Sequence, residues 1–152
     1  MRNLVFILLM LFGISLNSSA QKKLPEAVEK SFSQKFSEAK SIKWSNESAN
    51  EWEAEFVLNG KKMSASFDNS GNWFETETEL ALKDLPEAVT STLNREFAGY
   101  RKGESSILEN PTVKGYEIAL KKSGSEIEVV IDVNGKLLKH KSEKGDNKKQ
   151  EK

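Results

Sequence analysis

Two stretches of the chain carry large apolar residues at every fourth position, the spacing of an amphipathic helix with one buried face. The same five residues, Leu-Pro-Glu-Ala-Val, begin both stretches, at 24–28 and at 85–89. Proline is tolerated in a first helical turn because the N–H groups there have no helical partner. We predict two helices, the second with a capping box formed by Asp84 and Glu87. The predicted buried faces are Leu24, Val28, Phe32 and Phe36, and Leu85, Val89, Leu93 and Phe97.

Strict alternation after the first helix predicts a strand with one buried face. A shorter strand at 41–44 and a turn at 46–50 precede it. Asn59-Gly60 follows, a pair typical of the type I′ hairpin turn, because both positions of that turn need positive φ. The turn fixes the register and places Trp52 opposite Phe67. The same register pairs Ala54 with Ala65 and Phe56 with Met63, so that all six of these side chains share one face.

The next strand follows a turn at 68–71, and its register is predicted by placing Phe67 opposite Phe74. Ala65 then faces Thr76, and Ser66 faces Glu75 on the other side of the sheet. In this register one side is apolar and the other carries carboxylates, as expected of an antiparallel sheet buried on one face. The carboxylate side is predicted to comprise Glu53, Glu55, Glu75, Glu77 and Glu79, with Trp73 alternating onto it.

The second half of the chain repeats this order of elements. After a strand at 105–109, Tyr116, Ile118 and Leu120 alternate with polar residues and return opposite an apolar series at 127–131. The turn at 132–135 copies the turn at 68–71, and 136–139 is the last predicted strand. The halves align at an offset of 61 in the helix (85 − 24) and 64 in the sheet (135 − 71).

Self-similarity at a fixed offset is the signature of repeated units. We therefore predict an α+β fold of two tandem helix-plus-antiparallel-sheet repeats, with the helices on one face of the sheet. The first repeat spans 21–82 and the second 83–141. Whether the two sheets join edge to edge stays open from the sequence.

The first 20 residues are predicted to be a secretory signal peptide rather than part of the fold. A short basic start precedes an apolar run at 4–16, which is shorter than the roughly 20 residues that a membrane-spanning helix needs. Ser18-Ser19-Ala20 supplies the small residues of a cleavage site and leaves Gln21 as the new N-terminus. The mature protein is expected to be periplasmic or secreted, with a disordered, charged tail at 142–152.

The amino-acid composition excludes several classes of function. Lys plus Arg equals Asp plus Glu at 23 each, so the basic excess of a nucleic-acid-binding protein is missing. The sequence has no cysteine, which excludes disulfides, thiolate metal sites and a catalytic thiol. With 30% charged residues, the chain is too polar for a membrane protein once the signal peptide is removed.

Catalytic groups are sparse. The single histidine, His140, lies beside the predicted tail, and the serines lie in turns without a nucleophile elbow.

Asp68-Asn69-Ser70-Gly71-Asn72 resembles the start of a calcium loop, but the residues after it alternate as a strand. A plain hairpin turn is favoured because Asp and Asn bond their own backbone. We expect no enzyme activity, no cofactor and no metal.

The carboxylate side of the first sheet is the candidate contact surface. It is either a solvated face that keeps the protein soluble, or a binding surface for a cationic segment or a weak divalent-cation site. Trp73 favours binding, because tryptophan is enriched at binding hot spots. The candidate partner-binding residues are Trp73, Glu53, Glu55, Glu75, Glu77 and Glu79.

The order of these motifs resembles the PepSY-like family of secreted bacterial proteins, also described as beta-lactamase-inhibitor-like. The motifs that carry the resemblance are Leu24–Val28, Trp44, Trp52–Phe56, Asn59-Gly60, Phe67–Gly71 and Asp84–Val89. The resemblance implies helices on one face, an open and often concave sheet face on the other, and binding or inhibition rather than catalysis. Beta-lactamase inhibitors carry disulfides, which this chain cannot form, so inhibition of a beta-lactamase rests on likeness of fold alone.

We therefore predict a secreted or periplasmic, non-catalytic binding or inhibitory module that contacts a protein or peptide through its open sheet face. The alternative is a small-ligand or divalent-cation binding protein of the cell envelope, which uses the cleft between the repeats or the carboxylates. Neither nucleic acid nor a membrane is an expected partner.

Overall fold

The computed structural model describes residues 22–142. The predicted signal peptide at 1–20 and residues 143–152 of the predicted tail lie outside this range. Ser142, predicted to begin the tail, belongs to the last strand. The helices are α1 (Glu26–Lys35) and α2 (Glu87–Glu96), with a short 3-10 helix at Leu82–Asp84. The strands are β1 (Lys40–Ser48), β2 (Glu51–Leu58), β3 (Lys61–Phe67), β4 (Trp73–Glu79), β5 (Arg101–Glu109), β6 (Lys114–Lys122), β7 (Ser125–Ile131) and β8 (Leu137–Ser142).

All eight of these strands form one antiparallel sheet in chain order, from β1 at one edge to β8 at the other. The two halves join through β4 and β5, where Glu77 lies opposite Leu108 and Thr78 opposite Ile107. Because of this pairing the two predicted sheets are continuous, which the sequence pattern did not determine. Each half contributes one helix followed by four strands.

The predicted register of the first hairpin is confirmed at all three pairs, including Trp52 opposite Phe67. Asn59 and Gly60 have φ angles of 52° and 76°, the positive values that a type I′ turn requires. Ser123 and Gly124 form the matching turn between β6 and β7, also with positive φ. Short-range turn chemistry therefore determines the register of both hairpins.

The core lies between the helices and one face of the sheet. The first cluster contains Val28, Phe32, Phe36, Trp52, Ala54, Phe56, Ala65 and Phe67. The second contains Leu85, Val89, Leu93, Ile118, Leu120, Ile127, Val129 and Ile131. A row of directly opposed residues crosses from the first half to the second, namely Met63, Thr78, Ile107, Tyr116 and Ile131. Because directly opposed residues share a face, both helices cover the same side of the sheet.

Two local predictions are wrong. No side chain caps α2: Pro86 occupies the N-cap position, and Asp84 ends the preceding 3-10 helix instead of forming a capping box. Residues 46–48, predicted as a turn, continue β1, with Asn46 opposite Trp52 on β2. Pairing with a central strand outweighs the turn preference of Asn and Ser.

Trp73 does not lie on the carboxylate side, so its predicted placement is wrong. An irregularity between Ser66 and Phe67 leaves Phe67 opposite Trp73 rather than Phe74. The indole consequently packs against the first core cluster, where the ammonium of Lys35 lies 3.8 Å from its ring centroid. A β-bulge inserts an extra residue and reverses the alternation, which the sequence pattern does not reveal.

The turn at 68–71 is a plain hairpin turn, as predicted. Asp68 Oδ1 accepts hydrogen bonds from the backbone N–H groups of Ser70 and Asn72, at 2.8 and 2.9 Å. Asp132 Oδ1 accepts the same pair from Asn134 and Lys136 in the second half. These Asp side chains close turns with an oxygen that a calcium loop would use for its ion.

Candidate functional site

The sheet side opposite the helices, here called the outer face, carries all five predicted carboxylates. Ser66 pairs with Glu53 on one side and Glu75 on the other, and Ser64 pairs with Glu77. Glu55 on β2 lies opposite Ser64 on β3, and Glu79 follows Glu77 by two residues on β4. The sequence therefore places Glu53, Glu55, Glu75, Glu77 and Glu79 correctly, and only Trp73 belongs elsewhere.

Burial divides these carboxylates into two groups. Glu53 and Glu75 are 8% and 7% exposed, and Glu77 is half-buried. Glu55 and Glu79 are exposed at the rim, where Lys62 Nζ lies 3.3 Å from Glu79 Oε2. A sheet of many twisted strands tends to curl, which crowds side chains on one face. The carboxylates are not a uniformly solvated ladder.

Glu117 on β6 is a fourth carboxylate of this group, and the sequence pattern did not predict that it belongs there. It lies opposite Ser106, and Ser106 lies opposite Glu79 across the junction of the two halves. Its alternation with Tyr116 and Ile118 places it on the polar side of β6, but only the β4–β5 pairing brings it near Glu77. Glu53, Glu75, Glu77 and Glu117 are hereafter the carboxylate cluster.

The apolar residues Leu108 and Val130 continue the outer face beyond the cluster. Both are 1% exposed, although the two described helices lie on the opposite side of the sheet. Leu108 lies directly opposite Glu77, and Gly115 lies opposite Leu108. The centre of the outer face is therefore a carboxylate cluster bordered by a small apolar floor.

Burial and repulsion by neighbouring carboxylates change the protonation of Glu77 and Glu53. Burial, followed by the charges of Glu117 and Glu75, raises the pKa of Glu77 from 4.5 to about 8. The hydroxyl of Ser106, 3.2 Å from Glu77 Oε2, opposes this shift. Burial, followed by the charge of Glu47, raises the pKa of Glu53 from 4.5 to about 7, against the hydroxyl of Ser64. Glu77, and Glu53 in part, consequently hold protons at neutral pH.

Ser66 lies at the centre of the cluster and is 1% exposed. Within residues 22–142, its Oγ is a buried polar atom without a hydrogen-bond partner. A buried hydroxyl without a partner costs roughly 1–3 kcal/mol. The folded protein therefore retains an unsatisfied polar group beside several carboxylates.

The raised pKa values predict that stability falls as pH rises. Because the native state keeps protons that the unfolded chain releases above pH 4.5, the free energy of unfolding declines between about pH 4.5 and pH 8. The neutral isostere Glu77→Gln should therefore raise Tm by about 5 °C at pH 8. At pH 5 we expect almost no change.

The measurement is thermal unfolding by circular dichroism at both pH values. Glu55→Gln is the matched control, since it makes the same substitution on an exposed side chain of the same face. It should shift Tm equally at both pH values. An unchanged Tm for Glu77→Gln at pH 8 would contradict the burial of an ionisable Glu77.

Other kinds of site find little support in the described part of the chain. No group of three or more His, Asp or Glu side chains within residues 22–142 is arranged to hold a metal ion. None of the helices in that range is both long and apolar enough to traverse a bilayer. His140 lies in β8.

Comparisons with known proteins agree with this architecture. The family model described as "Putative beta-lactamase-inhibitor-like, PepSY-like" matches residues 50–139. No curated protein matches the chain. A BLIP-like protein from Bacteroides fragilis has a similar structure, with a TM-score of 0.70 and 23% identity over 86% of this chain and 94% of the other.

Two further solved structures show the same fold. A DUF2874 family protein from Bacteroides ovatus has a TM-score of 0.68 and 21% identity, over 80% of this chain and 89% of the other. A protein from Bacteroides eggerthii described as one of the "putative periplasmic proteins" has a TM-score of 0.67 and 20% identity, over 80% and 90% of the two chains. At these identities the likeness concerns the fold.

Proposed function

Because the chain belongs to the PepSY-like, beta-lactamase-inhibitor-like family, we propose that it is a non-catalytic binding module whose outer face contacts a protein or peptide partner. The observation that carries this proposal is the carboxylate cluster at the centre of a sheet face that the two described helices leave open. Like-charged neighbours contribute to the raised pKa values of Glu53 and Glu77, and a partner that brings positive charge would offset that repulsion. The partner is therefore a protein segment with a basic surface.

We place this activity in the periplasm or outside the cell. The predicted signal peptide and the periplasmic description of the Bacteroides eggerthii structure support that location. The predicted inhibitory role is supported by the family description, which names an inhibitor-like fold.

Capture from an envelope extract of the native host tests the contact surface. Glu55→Lys reverses a charge at the exposed rim of the outer face, and Glu29→Lys makes the same change on the exposed side of α1. We expect the wild type and Glu29→Lys to capture the same protein. Glu55→Lys should lose it at least about tenfold, because like charges across an interface are strongly unfavourable.

A photoreactive residue at position 64, opposite Glu55 on the outer face, identifies the contact directly. A crosslink to the captured protein would support the proposal. Equal capture by Glu55→Lys and Glu29→Lys would contradict it. A rise in Tm with calcium or zinc, without a protein partner, would favour the alternative cation-binding function.

We also infer that the two helix-plus-sheet units, 21–82 and 83–141, arose by duplication. The same contact occurs in both, because Gly71 approaches Ala27 O and Gly135 approaches Ala88 O. These pairs are related by the offsets of 61 and 64 that the sequence predicts. The first unit carries Glu53, Glu55, Glu75, Glu77 and Glu79 on the outer face, and the second carries Glu117, Glu126 and Glu128 there, so the two units have diverged at the proposed contact surface.

A further inference from the structure

Three carboxylates of the outer face, Glu53, Glu75 and Glu77, lack the counter-charges that such groups normally have. In the described part of the chain, the side chains of Lys62, Arg95, Lys114 and Lys121 form ion pairs with Glu79, Glu96, Glu109 and Glu126, respectively. Within that range, Glu53, Glu75 and Glu77 have no ion pair. Buried carboxylates are normally paired with a cation or protonated. These three carboxylates therefore form a site where a cation from outside would be favoured.

Ser66 Oγ is an independent sign of an occupant. It is buried between Glu53 and Glu75 on neighbouring strands, and no hydrogen-bond partner lies within residues 22–142. A hydroxyl oxygen accepts hydrogen bonds from N–H groups as well as donating its own proton. An N–H donor placed between the two carboxylates would satisfy the hydroxyl and both charges.

The chemistry selects an organic cation rather than a metal ion. No set of three His, Asp or Glu side chains among the described residues is arranged for metal binding. A guanidinium group presents five N–H donors in a plane and bonds several carboxylate oxygens at once. Leu108, opposite Glu77, provides an apolar surface for the methylene stem of such a side chain.

We propose that the carboxylate cluster receives an arginine side chain of the protein partner. Glu53, Glu75 and Glu77 supply the counter-charges, and Ser66 Oγ supplies a further acceptor. This inference rests on the proposed function, since it names the chemical group that the outer face recognises. An incoming cation offsets the like-charge repulsion that contributes to the raised pKa values of Glu77 and Glu53.

The test uses two synthetic pentapeptides, acetyl-Gly-Ser-Arg-Ser-Gly-amide and its citrulline counterpart, which has the same shape without the charge. Each is titrated into the isotopically labelled protein at pH 8 and followed by NMR. The arginine peptide should shift the amide signals of Ser64, Ser66 and Glu75 and saturate in the millimolar range. The citrulline peptide should bind at least about tenfold more weakly.

Variants separate recognition from folding. Ser66→Ala should weaken the arginine peptide about fivefold while leaving Tm equal or higher, because it removes a buried hydroxyl without a partner. Glu53→Gln and Glu77→Gln should each weaken it more, and the exposed Glu55→Gln should have little effect. A purely structural Ser66 would change Tm and leave the affinity unaltered.

Equal binding of the arginine and citrulline peptides would overturn the inference, and so would tighter binding of a lysine peptide. The arginine assignment can also fail while the proposed function stands. If Glu55→Lys abolishes capture of the protein partner while Ser66→Ala and Glu53→Gln leave it intact, the outer face still binds a protein but the arginine assignment is wrong.

Discussion

Phe32→Ala lowers the free energy of unfolding by about 4 kcal/mol, a large part of the stability of a domain this size. Phe32 is 2% exposed and lies at the centre of the first core cluster. Four aromatic rings surround it, with centroid distances of 5.3 Å to Phe36, 5.2 Å to Trp44, 5.0 Å to Phe56 and 6.3 Å to Phe67. Truncation removes those contacts and leaves a cavity that rigid strands do not fill.

Equilibrium unfolding in urea measures this loss, and Ser33→Ala on the exposed side of α1 is the control. All three tryptophans lie in the first half, so fluorescence reports that half and far-UV circular dichroism reports the whole sheet. Because β4 and β5 join the halves, we expect both signals to change at the same urea concentration. A loss below about 1.5 kcal/mol would show that Phe32 is not central to the core.

Gly71→Ala costs about 4 kcal/mol, whereas the chemically identical Gly60→Ala costs about 1 kcal/mol. Both glycines have positive φ, 81° and 76°, so both variants carry the strain of the left-handed region. They differ in their surroundings. A Cβ at Gly71 would lie 2.5 Å from Ala27 O and 2.6 Å from Ser31 Oγ, whereas a Cβ at Gly60 meets nothing within 4 Å.

The comparison isolates the close approach of α1 to the β3–β4 turn. Backbone cannot move aside as a flexible side chain does, so the new methyl group must displace the helix from the sheet. Urea denaturation of the two variants supplies the measurement. Equal losses would mean that α1 shifts freely, and the tight helix–turn contact would then contribute nothing to the packing of the first half.

Helical faces and hairpin registers were predictable because they depend on residues close in sequence. Val28 and Val89 are fully buried as the fourfold spacing predicts, and Asn59-Gly60 determined which side chains of β2 and β3 share a face. The same alternation placed the outer-face carboxylates correctly. Besides the capping box and the turn at 46–48, the alternation predicted the wrong side of the sheet for Trp73, because a single bulged position turns its side chain to the helices.

The sequence by itself determined two helices, their buried faces, two hairpin registers and the side of the sheet on which each glutamate lies, because each follows from spacing and turn geometry. Only the tertiary structure decided that β4 pairs with β5, which brings Glu117 from one half to Glu77 of the other. It also decided that Glu53, Glu75 and Ser66 are buried. Spacing specifies the direction of a side chain from its own strand, but burial and charge coupling depend on which distant strands become neighbours.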